Sequence, residues 1–221
     1  MMLKLSKHPF LKLNLNDLMF PTYTSYHFLK SYNNLPFDDC GSNKTRQRKY
    51  SNYTVHNINN TIHIIHNNNK NIFQQKNTAR KLEIIENPYD AFILEFIKLN
   101  SQILQNTNRF SKLNVDLHQI RQIAYPNLNS HHPEEDMYQN SSDYIVSELV
   151  LKRLNIKGGN TMIYDKNKNK IYEKKLNKYD YILHDNKELS HFVTPVEYFQ
   201  SDCFENYGHR DILGLDIYRI E

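Results

Sequence analysis

The alternation of apolar and polar positions predicts strands in the first half of the chain. Leucines alternate with other residues at Leu11, Leu13 and Leu15, which indicates a short strand near the beginning. Two further segments, 46–56 and 61–66, contain many β-branched and aromatic residues and are predicted to be extended. The first half is therefore not purely helical.

The clearest helical period lies between residues 89 and 105. Phe92, Phe96 and Ile103 share one face of this predicted helix, while charged residues lie on the other face. A second, shorter helix or turn region is predicted over residues 22–34.

Beyond residue 110 the pattern changes to short strands separated by turn signals. The predicted strands are 115–124, 144–152, 161–165, 170–173, 179–184, 192–197 and 211–220. Strands of this length and spacing indicate a jelly roll or barrel. We expect one domain, 1–221, in which an α/β part (1–110) packs on the main core strands (111–221).

The amino-acid composition excludes few classes of function. Of the 221 residues, 39% are hydrophobic, and the formal net charge is +4. This mild positive charge permits an anionic partner but does not argue for nucleic acid, because the sequence shows no stripe of alternating basic and aromatic residues. A small basic nucleic-acid-binding protein is therefore the weakest of the functions that we consider.

Cysteine content and hydropathy point to a cytoplasmic protein. Cys40 and Cys203 lie far apart and make neither a disulfide framework nor a zinc site, which predicts a reducing compartment. The N-terminal residues lack the sustained apolar run and cleavage site of a secretory leader. No window contains eighteen consecutive apolar residues, so we expect no contact with a membrane.

The candidate chemistry lies in the segment 131–143 and in two later residues. His191 follows a predicted strand and turn, and Arg210 stands near the start of the last strand. Non-haem iron oxygenases hold Fe(II) with two histidines and one carboxylate, which leaves open coordination sites. A later arginine suits the distal carboxylate of an α-keto acid, because its planar fork can donate two hydrogen bonds.

Several segments resemble a known family in their order along the chain. The matching segments are Arg46–Ser51, Val115–Arg121, Pro133–Glu134, Asp143–Val146, Arg153–Gly159, Leu183–Asp185, His191–Val196 and Gly208–Leu213. Over about residues 46–221 the chain resembles the 2-oxoglutarate/Fe(II)-dependent dioxygenases of the bacterial L-isoleucine hydroxylase type, also called BsmA-like. The resemblance implies a double-stranded β-helix, a jelly-roll, cupin-like core that is mainly β with a helical N-terminal part.

The resemblance also implies roles for individual residues. Active members hydroxylate a free amino acid with 2-oxoglutarate, O₂ and Fe(II); His191 would ligate iron and Arg210 would bind 2-oxoglutarate. We place Gln119 and Arg121 on an inward-facing strand, as candidates for cosubstrate or substrate contact. Salt bridges to Asp143 or Glu148 are the alternative for these two residues. A small-molecule substrate, no nucleic acid and no membrane are the expected partners, and a homodimer is compatible with the sequence.

The metal motif of this chain departs from the family pattern. Counting back from Asp143, Tyr138 takes the place of the first histidine ligand and Asn140 takes the place of the acidic ligand. A phenol with a pKa near 10 is a poor Fe(II) ligand, and an amide carries no charge. The displaced pair His132 and Glu134 could replace them only if the intervening loop folds back.

Two hypotheses are therefore kept beside the nucleic-acid alternative. In the first, the chain is a 2-oxoglutarate/Fe(II) dioxygenase that hydroxylates an amino acid or a similar small molecule. In the second, it is a catalytically inactive relative that binds a small acid or a partner protein. The altered positions Tyr138 and Asn140 favour the second hypothesis, whereas the retained His191 and Arg210 favour the first.

Overall fold

The structure is a computed structural model, which describes residues 9–38, 44–68, 72–75, 78–107, 110–130, 142–199 and 206–220. Strands follow one another along almost the whole of it. The strands are β1 Phe10–Asn14, β2 Arg46–Ile58, β3 Thr61–His66, β4 Ile72–Gln75, β5 Thr78–Lys81, β6 Lys112–Ala124, β7 Tyr144–Leu154, β8 Ile156–Gly158, β9 Asn160–Asp165, β10 Lys170–Lys175, β11 Asp180–Asp185, β12 Leu189–Val193, β13 Val196–Tyr198 and β14 Gly208–Arg219. The α-helices are α1 Ser25–Lys30, which continues into a 3₁₀ turn at Ser31–Asn34, and α2 Ala91–Thr107.

A seven-stranded antiparallel sheet organises the molecule, in the order β1-β11-β7-β14-β6-β2-β3. Its central strand β14 pairs with β6 along its whole length, from Gly208 opposite Ala124 to Arg219 opposite Leu113. On the other side β14 pairs with β7. The second sheet has the order β10-β9-β12, and β13 pairs with β8.

The two faces of the large sheet are covered by different layers. On one face α2 packs its apolar side, including Phe92 and Phe96, into a cluster with Leu149, Leu213 and Leu215 of the sheet. Burial on both faces explains why the central strands contain few exposed residues.

The opposite face meets the small sheet. Ile120, Val150 and Ile212 from the large sheet cluster with Ile163 and Leu189 from the small sheet. We call the face that carries this cluster the barrel side and the other face the helix side. The predicted mainly β, jelly-roll fold is confirmed, while the division near residue 110 stays a prediction.

The strand pattern differs from the sequence prediction at one informative place. The predicted strand 192–197 is divided into β12 and β13 at Thr194 and Pro195, because proline has no N–H for a ladder. At that break Gly158 adopts φ +69°, and a Cβ there would lie 2.2 Å from the carbonyl oxygen of Pro195. Close backbone approach thus requires a glycine at position 158.

None of the helices in the described ranges is long and apolar enough to cross a membrane.

The helix-side core gives the first testable expectation. Phe96 is fully buried and meets Phe20, Phe92 and Tyr181 in aromatic contacts. Phe96→Ala should lower the free energy of unfolding by about 3–5 kcal/mol, because it leaves a cavity between α2 and the sheet. Urea denaturation would measure this. Ile58→Ala, at an exposed strand end, should cost far less; equal losses would contradict this packing.

Candidate active site

The alternation of side chains along each strand determines which residues face the barrel side. Ile212 lies in the barrel-side cluster, so Arg210 on the same strand points to that side as well. Val150 likewise places Glu148 on the barrel side of β7. These two strands pair directly, and Arg210 and Glu148 meet inside the barrel.

The fork of Arg210 is occupied by a carboxylate of the protein itself. Arg210 Nη2 donates to Glu148 Oε2 at 2.7 Å and Nη1 donates to Oε1 at 3.2 Å. Thr161 Oγ1, on the facing sheet, donates to Glu148 Oε2 at 2.7 Å. Arg210 is 0% exposed and Glu148 is 1% exposed. The bidentate geometry is the one that a guanidinium offers to any carboxylate.

A second guanidinium stands beside this pair. Arg153 lies opposite Arg210 in the sheet, and its Nη2 donates to the carbonyl of Gly158 at 2.6 Å. Burial and the neighbouring charge of Arg210 lower the pKa of Arg153 to about 10. Arg153 Nη1 and Arg210 Nε lack hydrogen-bond partners within the described part of the chain. The positive charges of Arg153 and Arg210 thus lie close together, and Glu148 partly offsets the charge of both.

His191 also faces the barrel, where it contacts a second histidine. Its Nδ1 lies 3.3 Å from Nε2 of His184, and the ring centroids are 5.3 Å apart. His184 is fully buried, and burial together with the adjacent His191 lowers its pKa to about 3. The sequence comparison identified His191 as a ligand candidate but did not assign a role to His184.

The other predicted metal ligands cannot be placed. Tyr138, Asn140, His132 and Glu134 all lie outside the described residues. Over the described ranges, no group of three or more histidine, cysteine, aspartate or glutamate side chains is arranged to hold a metal ion.

Gln119 and Arg121 have the opposite orientation from the one that we predicted. Their side chains point to the helix side, because Ile120 between them faces the barrel. Gln119 Nε2 donates to Ser31 Oγ at 2.6 Å. Arg121 forms a bidentate pair with Asp211, at 2.6 and 2.9 Å, and not with Asp143 or Glu148. A role for either residue in ligand contact stays a prediction.

The barrel-side residues that sequence reasoning missed include His118. Arg48 Nη2 lies 2.6 Å from His118 Nδ1, so that Nδ1 accepts and the proton is on Nε2, which lies 3.3 Å from Asp216 Oδ2. Next to them Tyr50 donates to Asp116 at 2.5 Å. The period of two around Ile120 could have identified His118, since both residues lie on one face.

Comparison with known proteins agrees with this fold. A family model for 2OG-Fe dioxygenases matches residues 29–216, most of the chain. The chain belongs to the 2OG-Fe dioxygenase family. The resemblance seen in the sequence is thus confirmed for the family, while the L-isoleucine hydroxylase type stays a prediction. No curated protein sequence matches the chain.

Solved structures show the same fold at low sequence identity. IDO from Bacillus thuringiensis is 19% identical, with a TM-score of 0.79 over 98% of this chain and 93% of that chain. A bsmA homolog from Methylobium petroleophilum PM1 is 14% identical, with a TM-score of 0.83 over 97% and 90%. The Fe(II)/α-ketoglutarate-dependent dioxygenase TqaL is 13% identical, with a TM-score of 0.70 over 97% and 84%.

The family implies Fe(II) and 2-oxoglutarate, and the residues of this chain do not fit either group well. The spacing of the family motif predicts Tyr138 and Asn140 at the positions of a histidine and an acidic ligand. The one arginine fork expected to hold the distal carboxylate of 2-oxoglutarate already holds Glu148. We therefore derive no catalytic step through either group.

A buried histidine on the helix side gives a pH-dependent expectation. His209 is 2% exposed, and burial together with Arg121 and Lys152 lowers its pKa to about 3. Because the unfolded histidine titrates near 6.5, the unfolded state gains a proton below that pH that the folded state does not take up. Unfolding free energy should therefore fall as the pH drops from 6.5 towards 3.

The contribution of His209 to this loss of unfolding free energy can be measured with the variant His209→Phe. The variant should lose about 1–2 kcal/mol less than the wild type between pH 7 and pH 5, measured by urea denaturation. His63→Phe, at an exposed site on β3, should retain the wild-type difference. Equal pH dependence in wild type and His209→Phe would contradict the buried neutral state.

Proposed function

We propose that this member of the 2OG-Fe dioxygenase family binds a small molecule and does not turn over 2-oxoglutarate. The observation that carries the proposal is the Glu148 carboxylate in the fork of Arg210. A cosubstrate carboxylate would have to displace a carboxylate that is already buried and fully paired.

The pairing of Glu148 supports an internal substitute for the cosubstrate. Its two oxygens accept from Arg210 and Thr161, which are the kinds of donor that a dicarboxylate would use. Glu148 is covalently attached and needs no loss of translational freedom to occupy the fork, whereas a free dicarboxylate does. Because both carboxylates would accept the same hydrogen bonds, the Glu148 side chain is favoured over a free dicarboxylate in the fork.

The metal side of the site supports the same proposal. Tyr138 and Asn140 offer a protonated phenol and a neutral amide where iron needs an imidazole and a carboxylate. His191 retains the ligand type, but its Nδ1 is engaged with His184. A weakened metal centre and a filled cosubstrate fork would each reduce turnover by independent means.

The ligand class that we propose for the barrel is a free amino acid or a similar small molecule. The family resemblance suggests it, and the barrel side carries both signs of charge beside one another. Asp116 and Asp216 could meet an ammonium group, while Arg48 lies within hydrogen-bond distance of His118 at the same face.

Removing the internal carboxylate should open the fork. Glu148→Ala leaves Arg210 buried without its partner, which should lower the free energy of unfolding by about 3–5 kcal/mol. Millimolar 2-oxoglutarate should then raise the melting temperature of this variant more than that of the wild type, because it supplies the missing carboxylate.

A matched control is Glu188→Ala, which removes an exposed partner of Lys166. That variant should change stability by about 1 kcal/mol or less and should show no response to 2-oxoglutarate beyond the wild type. If Glu148→Ala melts like the wild type, or if 2-oxoglutarate stabilises all three proteins equally, the fork is not filled as described.

Anaerobic titration tests the loss of turnover directly. The wild-type protein with Fe(II) and 2-oxoglutarate should show no charge-transfer absorbance band and release no succinate in air. Tyr138→His combined with Asn140→Asp should increase Fe(II) affinity, because it restores an imidazole and a carboxylate. A band and succinate release from the wild type would establish an active dioxygenase instead. If His132→Ala then lost that activity, His132 and Glu134 would be assigned as the iron ligands.

A further inference from the structure

A cavity of about 740 Å³ lies outside the barrel, between α1 with its 3₁₀ turn and the end of β7. Lys30 and Lys152 lie on two sides of it, and Lys175 and Lys178 approach from the β10–β11 connection. We call it the basic cavity. Its volume is within the range of pockets that bind small organic ligands.

Positive charge is concentrated in this cavity. Six of its lining side chains are lysine or arginine, against one carboxylate, Asp211, among the described lining residues. Asp211 is itself matched by Arg121. The whole chain has 28 basic and 24 acidic side chains, so the excess is local and is not a property of the whole surface.

Several described lysines of this protein form ion pairs with glutamates, whereas the four lysines of the basic cavity do not. Lys49, Lys157 and Lys166 each form an ion pair with a glutamate. Within the described part of the chain, the lysines of the basic cavity form no ion pair, and Lys30 and Lys178 instead lie over tyrosine rings. Unpaired cations that converge on one concave space are the arrangement that an anionic ligand requires.

A further guanidinium at the cavity adds to this positive charge. Arg153 also lines it, and its Nη1 has no hydrogen-bond partner in the described ranges.

The cavity also has an apolar part. Leu29 of α1, Leu151 of β7 and Ile156 of β8 line it, together with the ring of Tyr26, which is 64% exposed. An inorganic anion would leave this apolar surface uncovered. A ligand with a phosphate group and an organic ring would use both the lysines and the apolar wall.

We propose that the basic cavity binds a phosphorylated organic molecule, with phosphate oxygens on the lysines and the organic part against Tyr26 and Leu29. The proposal does not depend on whether the barrel turns over 2-oxoglutarate, because the cavity lies on the other side of the large sheet. It gives the chain a second ligand site besides the barrel.

Calorimetric titration of the full chain with ATP at 150 mM salt tests the site. ATP should bind saturably, and Lys152→Gln combined with Lys175→Gln should weaken it by about tenfold, from the loss of two charged contacts. The control, Lys166→Gln combined with Lys170→Gln, removes the same charge from the exposed β9–β10 hairpin and should bind ATP like the wild type. All four lysines are exposed, so both variants should fold.

Four outcomes would overturn the proposal. Absence of saturable ATP binding would remove the site. An equal loss in both double variants would mean attraction to net charge and not a site. Inorganic tripolyphosphate that binds as tightly as ATP would refute a role for the organic part of the ligand. A single-stranded RNA that binds more tightly than ATP would point to a different class of partner.

Discussion

The pairing of β14 with β6 and β7 is the constraint on which both sites depend. Because successive side chains of a strand point to opposite faces, Arg210 enters the barrel and its neighbour Asp211 enters the helix side. Each meets one opposite charge there, Glu148 or Arg121. A shift of register by one residue would exchange these environments and leave four buried charges without partners. The register is therefore held by charge as well as by apolar packing.

The buried pair of Arg210 and Glu148 is also the basis of the proposed loss of turnover. The large sheet needs the Arg210 guanidinium to be neutralised, and either a bound dicarboxylate or a side chain can do that. With Glu148 in place, folding no longer depends on a ligand. The pair would then stabilise the sheet whether or not the protein holds iron.

The barrel and the basic cavity lie on opposite sides of the sheet but share Arg153, which lines the cavity and stands beside Arg210. Its guanidinium is held to the Gly158 carbonyl and is repelled by Arg210. A ligand phosphate in the cavity and the carboxylate in the barrel would both be favoured by the same excess of positive charge. The end of β7 is thus the place where the two proposed functions meet.

The sequence by itself determined the fold class and most strands, and it predicts His191 and Arg210 as site residues. Those inferences depend on local periodicity and on the order of short motifs, which are contained in the chain. The sequence suggested Glu148 only as an alternative partner of Gln119 or Arg121, whereas it pairs with Arg210. Gln119 and Arg121 were predicted to face inward, whereas both point to the helix side. Strand pairing and the bulges in β7 decide which side chains meet, and these depend on residues distant in sequence. The basic cavity was invisible for the same reason, since its lysines come from α1, β7 and the β10–β11 connection and converge only in the folded chain.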